Sequence, residues 1–242
     1  MDRIKDFKEL NRKFLIVAIF SIAMGFLEGA VVVYLRELYY PNGFSFPLSP
    51  IPPLVATTEF FREVATIIML AGIGIMAGNN KLTRFSWFMF SFAIWDIVYY
   101  AALKVILDWP SSLLTWDILF LIPVPWVGPV IAPLIISGMM LFVSVIIINK
   151  DQHNSSFNTS RMDSAIGLTG CFIVLYSFME DYLKMLQSQG WLKSFWMPGS
   201  KEALFDMLNA YIPHSFNWTF FVTGCVLISI FIFKIVGNVR RA

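Results

Sequence analysis

The chain has 242 residues, 57% of them hydrophobic and only 14% charged, with a mean hydropathy of +0.69. That composition excludes an ordinary water-soluble domain, and a net charge of +2 leaves neither a basic field for nucleic acid nor an acidic tail. What remains is an all-α polytopic membrane helix bundle, read as one transmembrane domain over residues 1–242.

The N-terminal stretch MDRIKDFKELNRKFLIVAIFSIAMGF has a basic start and an apolar run with no small-residue cleavage site after it, so it is expected to be an uncleaved first span. A span needs roughly 20 mostly apolar residues. Five segments meet that need directly, over residues 14–36, 62–79, 84–106, 163–187 and 217–237. Between the first two, YYPNGFSFPLSPIPPL is too rich in proline for a helix and is expected to form an extended cap on the bundle.

Residues 111–148 are too long for a single crossing at about 1.5 Å per residue. Prolines 123, 125, 129 and 133 in LIPVPWVGPVIAP remove backbone donors and forbid one regular helix. The expectation is a re-entrant half-helix over 111–121, an extended turn, and a span over 130–148, making six in all. The alternative for 111–128 is an interfacial helix. Irregular backbone at membrane depth survives only where protein or a water-lined cavity satisfies it, so this element points to a binding site. Further on, SKEALFDMLNAYIP carries Leu204, Phe205, Leu208 and Tyr211 on one helical face, which suits an interfacial helix over 200–211.

Twelve of the 18 Lys and Arg residues fall on the side of the chain termini and six on the other, which by the positive-inside tendency puts both termini in the cytoplasm. Trp109, Trp116, Trp126, Trp191, Trp196 and Trp218 all map to the outer side, as an aromatic belt would. Cys171 and Cys225 lie in apolar runs and read as small buried hydrophobes.

Charges that belong to the spans gather in the outer half. Glu28 and Asp96 are the deepest, and an acid at such depth costs roughly 2.5–3.5 kcal/mol on insertion scales, so protein must shelter it. Asp96, Tyr100 and Lys104 follow i, i+4, i+8 spacing along one face, with Tyr99 beside them. GFLEG places Gly25 and Gly29 in the G-x-x-x-G spacing that lets a neighbouring helix approach Glu28. EFFREVAT sets Glu59 and Glu63 one turn apart with Arg62 between, and Arg62 could pair with Glu37, Glu28 or Asp96. Asp117 lies on the broken element and Glu180 at the outer end of the fifth span.

Candidate binding residues are therefore Glu28, Arg62, Glu63, Asp96, Tyr99, Tyr100, Lys104, Asp117 and Glu180. Glu28, Glu63, Asp96 and Glu180 are the acids able to exchange protons near neutral pH. Arg62 and Lys104 are counter-charges or anion clamps, and Tyr99 and Tyr100 hydrogen-bond donors. No catalytic residue is legible. Haem is not expected, since His153 and His214 are the only histidines and neither sits in a span. No other resident cofactor is expected, although Glu28, Glu63 and Asp96 would suit a hard cation such as Mg²⁺ or Mn²⁺. The function these residues suggest is cation- or proton-coupled binding or transport of a small solute. The alternatives are a membrane-embedded enzyme acting on a lipid-phase substrate, and a non-catalytic subunit or assembly factor. Expected partners are membrane lipids and either another membrane protein or a second copy of the chain, with no nucleic acid.

The stretches EGAVVVYLRELYYP, FREVAT and WDIVYYAALKVILDWPSSLLTWDILFLIPVPWVGPVIAP, with a weaker return at FNWTFF, resemble a family of bacterial multi-span membrane proteins without an assigned activity. The resemblance implies a bacterial inner membrane and carries no substrate or catalytic residue with it.

Overall fold

A computed structural model describes residues 2–122, 124–151, 155–157, 160–188, 210–237 and 239–241. Six helices are long and apolar enough to cross a membrane, and together they form an all-α polytopic bundle. They are α1 (Asp2–Tyr39), α2 (Pro53–Ala77), α3 (Lys81–Leu107), α4 (Ile131–Asp151), α5 (Arg161–Ser188) and α6 (Trp218–Gly237). Two short hairpins accompany them, β1 (Trp116–Phe120) with β2 (Trp126–Pro129), and β3 (Ser155–Phe157) with β4 (Val239–Arg241). Six alternating crossings leave both chain termini on one side, called here the terminal side. Loop 40–52 and the β1–β2 hairpin lie on the other, the loop side.

Local chemistry sets the helix ends. α2 opens at Pro53, where a missing N–H costs nothing because the first turn has no acceptor for it. α3 opens with a reciprocal cap in which the Asn80 side chain accepts from the Thr83 amide and the Thr83 hydroxyl accepts from the Asn80 amide. It closes at Asp108, whose φ of +51° breaks the helix before Trp109 and Pro110.

α3 is the centre of one half of the molecule, packed against α1, α2 and α4. The contact with α1 depends on Gly25. A Cβ there would stand 2.6 Å from the Trp95 carbonyl oxygen and 2.9 Å from Val98 Cβ, so the expected G-x-x-x-G approach is made, and its partner is α3. A buried Ser21–Ser91 hydroxyl pair at 2.7 Å joins the same two helices. α5 and α6 form the other half, pressed together where Gly170 faces Gly224.

The element expected as a half-helix over 111–121 is instead the first strand of a hairpin. Its register pairs Trp116 with Pro129, Asp117 with Gly128, Ile118 with Val127 and Phe120 with Trp126, with an irregularity between Ile118 and Phe120. Burial along WDILF does not follow a helical period, since Asp117 alone is fully inside. A hairpin also accommodates the prolines better than a broken helix, because cross-strand bonds satisfy the backbone that the prolines deprive of helical partners. Gly128 leaves its face of the ladder open to the rings of Phe178 and Phe216, 3.0 and 3.1 Å from where a Cβ would stand, which ties the hairpin to α5. The amides of Val130 and Ile131 donate back to Thr115 and Leu113 at 3.0 and 2.8 Å, so the second strand runs straight into α4. The interfacial helix expected over 200–211 falls outside the described residues except for its last two positions; there, Tyr211 is 2% exposed and donates to Asp181 at 2.6 Å.

Candidate functional site

Glu28 lies 11 residues from the loop-side end of α1, Glu63 10 residues into α2, and Asp96 11 residues from the end of α3. At about 1.5 Å per residue all three sit about 15–17 Å below the loop-side helix ends. Acids from three helices therefore share one level, and they line one cavity of about 60 Å³. Arg62, Trp95, Tyr99 and Tyr100 complete its helical wall, and Ile118, Leu119 and Phe120 of β1 close it from the hairpin side.

The charges on this cavity are not equivalent. Arg62 reaches across from α2 to Glu28 and also holds Glu59 of its own helix, its Nε standing 2.7 Å from the Glu59 carboxylate. Glu28 receives a further hydroxyl contact from Thr66 at 3.4 Å. Of the three partners left open for Arg62 by spacing, Glu28 is the one that meets it. With two carboxylates on one guanidinium, Arg62 has no free charge to offer an anion.

Glu63 and Asp96 are different. Glu63 accepts one hydrogen bond, from the Leu121 amide at 2.9 Å, and Asp96 accepts one from the Ser137 hydroxyl at 2.8 Å. Among the described residues neither is in a salt bridge, although they are only 7% and 9% exposed. Each keeps one carboxylate oxygen without a hydrogen bond among the described residues. Arg62 lies on the same cavity, but its bonds go to Glu28 and Glu59, and a buried acid without an ion pair of its own is stabilised by a proton or a bound cation.

Asp117 stands behind the cavity rather than in its wall. It is 2% exposed, 3.3 Å from Arg36 Nη2, and accepts from the Tyr100 hydroxyl at 3.2 Å. Burial pushes its carboxyl up to about 6 even with the Arg36 guanidinium beside it. Arg36 in turn lies 3.7 Å from the centre of the Trp109 ring and 4.6 Å from that of Phe44. Trp109 is thus a packing partner of a buried cation. Likewise Trp126 stacks on Phe178. The assembly of Arg36, Asp117, Tyr100 and Trp109 fixes the hairpin to α1 and α3.

Two of the candidates do not join. Lys104 is half exposed and bonds Asp108 at 2.6 Å, one turn further along its own helix, as well as the Asp108 and Pro110 carbonyls. The i+8 alignment with Asp96 holds on the helix, but the side chain reaches outward to the helix end, where a long cationic stem finds water and carbonyls. Its charge holds the exposed Asp108 carboxyl below the usual range. Glu180 is buried on α5, where Lys184 bonds it at 2.7 Å, and it does not line the cavity. The hard-cation arrangement at Glu28, Glu63 and Asp96 is not formed either. Glu28 is taken by Arg62, and among the described residues no three His, Cys, Asp or Glu side chains converge as metal ligands would.

Pattern reasoning missed Trp95 and Ser137. Ser137 is one of two serines in an otherwise apolar stretch of α4, which gives no signal by itself. Trp95 looks like one more core aromatic and packs as one against Met24 and Leu70, yet part of its ring lines the cavity. No family model, curated protein or solved structure matches the chain.

Proposed function

We propose that the chain is a bacterial inner-membrane protein with cytoplasmic termini, and that the cavity in its outer half binds a small cation whose movement is coupled to protons. The observation that carries this reading is the pair Glu63 and Asp96, two buried carboxylates on separate helices that line one cavity and, among the described residues, stand in no salt bridge. Such a pair is satisfied equally by protons or by a cation, and exchange between the two is the elementary step of proton coupling. Arg62, bracketed by Glu28 and Glu59, supports the pair by fixing α1 against α2 without contributing spare positive charge. The surplus of Lys and Arg on the terminal side supports the orientation, and the likeness of residues 28–133 to a bacterial membrane family supports the compartment.

The test is flux. Full-length protein in proteoliposomes, with a pH-sensitive dye inside, is expected to release protons when small organic cations are added outside, and Glu63→Gln and Asp96→Asn are each expected to abolish the signal while the protein remains folded. Unchanged flux in both variants would overturn the assignment of these carboxylates, and the absence of any cation-dependent proton movement in the native protein would overturn transport.

A further inference from the structure

We infer that the cavity opens sideways into the bilayer between α1 and α2, and that its ligand is an amphiphilic cation whose small head sits at Glu63 and Asp96 while an apolar tail leads out through that seam. The inference rests on the cation reading above and adds to it a route and a ligand class.

The back wall is α3, with Asp96, Tyr99 and Tyr100. The floor is a buried cluster of Met24, Leu70 and Trp95, one residue from each of the three helices, which seals the hollow toward the terminal side. The roof is β1, whose Ile118, Leu119 and Phe120 line the cavity and whose neighbour Leu121 donates its amide to Glu63 at 2.9 Å. α1 and α2 supply the flanks, Glu28 and Val32 from one and Arg62 and Glu63 from the other. Each of these two helices packs along α3, but they hardly pack on each other. Among the described residues, the polar contacts across their seam are those that Glu28 receives from Arg62 and Thr66. The front of the cavity is therefore closed by a bridge of side chains and not by packed backbone. The Arg62 and Glu28 side chains are 22% and 12% exposed, so the bridge itself reaches the outer surface.

Depth decides what lies outside it. About 15–17 Å below the loop-side helix ends, in a hydrocarbon core roughly 30 Å thick, the seam faces acyl chains. A ligand that enters there must dissolve in the bilayer, which an apolar tail provides. Its head must be small, because a cavity of about 60 Å³ holds on the order of four small heavy atoms at roughly 15 Å³ for each water-sized group. The tail then stays in the seam. The head must also be cationic and free of phosphate. Glu28, Glu59 and Arg62 together carry one net negative charge, and Glu63 and Asp96 add no positive one. A phosphodiester would meet carboxylates and a guanidinium already shared by two of them.

Photo-crosslinking of the full-length chain in phosphatidylglycerol nanodiscs tests route and ligand together. The probe is decylammonium with a diazirine in mid-chain, and labelled peptides are read by mass spectrometry. The saturable label, the part removed by excess decylammonium, is expected on α1 and α2. It should fall at least about tenfold in Glu63→Gln and in Asp96→Asn, the loss of a hydrogen bond to a charged group. Methylammonium chloride should need at least about tenfold more than decylammonium to displace it, since it has no tail to hold it in the bilayer. Saturable label on β1 or on loop 40–52 would overturn the sideways route. Displacement by methylammonium at equal concentration would overturn the tail, and displacement on exchanging phosphatidylglycerol for phosphatidylethanolamine would overturn the exclusion of phospholipid. Absence of saturable label alongside intact cation-dependent proton flux overturns this inference alone; absence of both overturns the cation reading as well.

Discussion

Of the buried acids, the four on helices divide between the two halves of the molecule and show how little burial says about role. Glu63 and Asp96, on α2 and α3, are 7% and 9% exposed; Asp163 and Glu180, on α5, are both 7% exposed. Both halves are drawn together by glycines, Gly25 against α3 in one and Gly170 against Gly224 in the other. Yet Asp163 is held by Lys234 at 2.6 Å and by the Ser160 hydroxyl at 2.7 Å, and Glu180 by Lys184 at 2.7 Å. The α5–α6 acids are neutralised by the protein itself, and none of the four residues concerned lines the cavity. The α2–α3 acids have one hydrogen bond each and a hollow beside them. Partner saturation and space, rather than depth, separate a structural acid from one available to a ligand.

The comparison can be broken most severely at the packing that creates it. Gly25→Leu would drive a side chain into the Trp95 carbonyl and Val98, so α1 should leave α3 and the folded fraction in detergent should fall to near zero by gel filtration. Next in size is Arg62→Met, which removes the one cation shared by Glu28 and Glu59. Breaking a buried pair from one side costs about 3–5 kcal/mol, read as a large drop in thermal midpoint. The matched change on the other half, Lys184→Met, removes a partner that is itself 66% exposed and should shift the midpoint far less. Equal losses would show that the two halves bury their charges alike, contrary to the geometry.

A subtler test concerns Asp117. Its folded carboxyl titrates near 6, above the ordinary aspartate value of 3.8, so the folded state binds this proton more tightly than the unfolded one does. The sign follows: this group's contribution to stability rises as pH falls through about 6 and is complete below 3.8. Infrared difference spectra should show a carboxylic acid band growing in as pH is lowered from 7 to 5, absent in Asp117→Asn. That variant should also lose the corresponding slope of stability with pH. Last, Lys104→Met should leave cation-dependent proton flux unchanged, since Lys104 spends its charge on Asp108 and the helix-end carbonyls.

Six helices and the gathering of charge toward the loop side were legible because a bilayer imposes length and apolarity on every span and makes each exception conspicuous. Glu28, Glu63 and Asp96 stood out for that reason, as did Gly25, whose spacing with Gly29 signals a close approach. Arg62 was visible as a counter-charge, but the choice among Glu37, Glu28 and Asp96 was not, since spacing along the chain does not fix the relative depth and rotation of the helices that carry them. Proline spacing revealed that residues 111–148 could not be one helix. It could not say that β1 would find a strand partner, because Ile118 faces Val127 only after the chain has reversed.

Membrane class, span count and the identity of the costly residues thus belong to the sequence alone, since the price of a charge in hydrocarbon is set residue by residue. Tertiary structure decided which acids remain unpaired. It turned Lys104 outward, gave Glu180 to Lys184, brought Glu63 and Asp96 to one cavity, and set a hairpin over them. Those outcomes depend on the relative rotation and depth of packed helices, and a degree of freedom shared between segments distant in the chain leaves no mark in the local pattern of either.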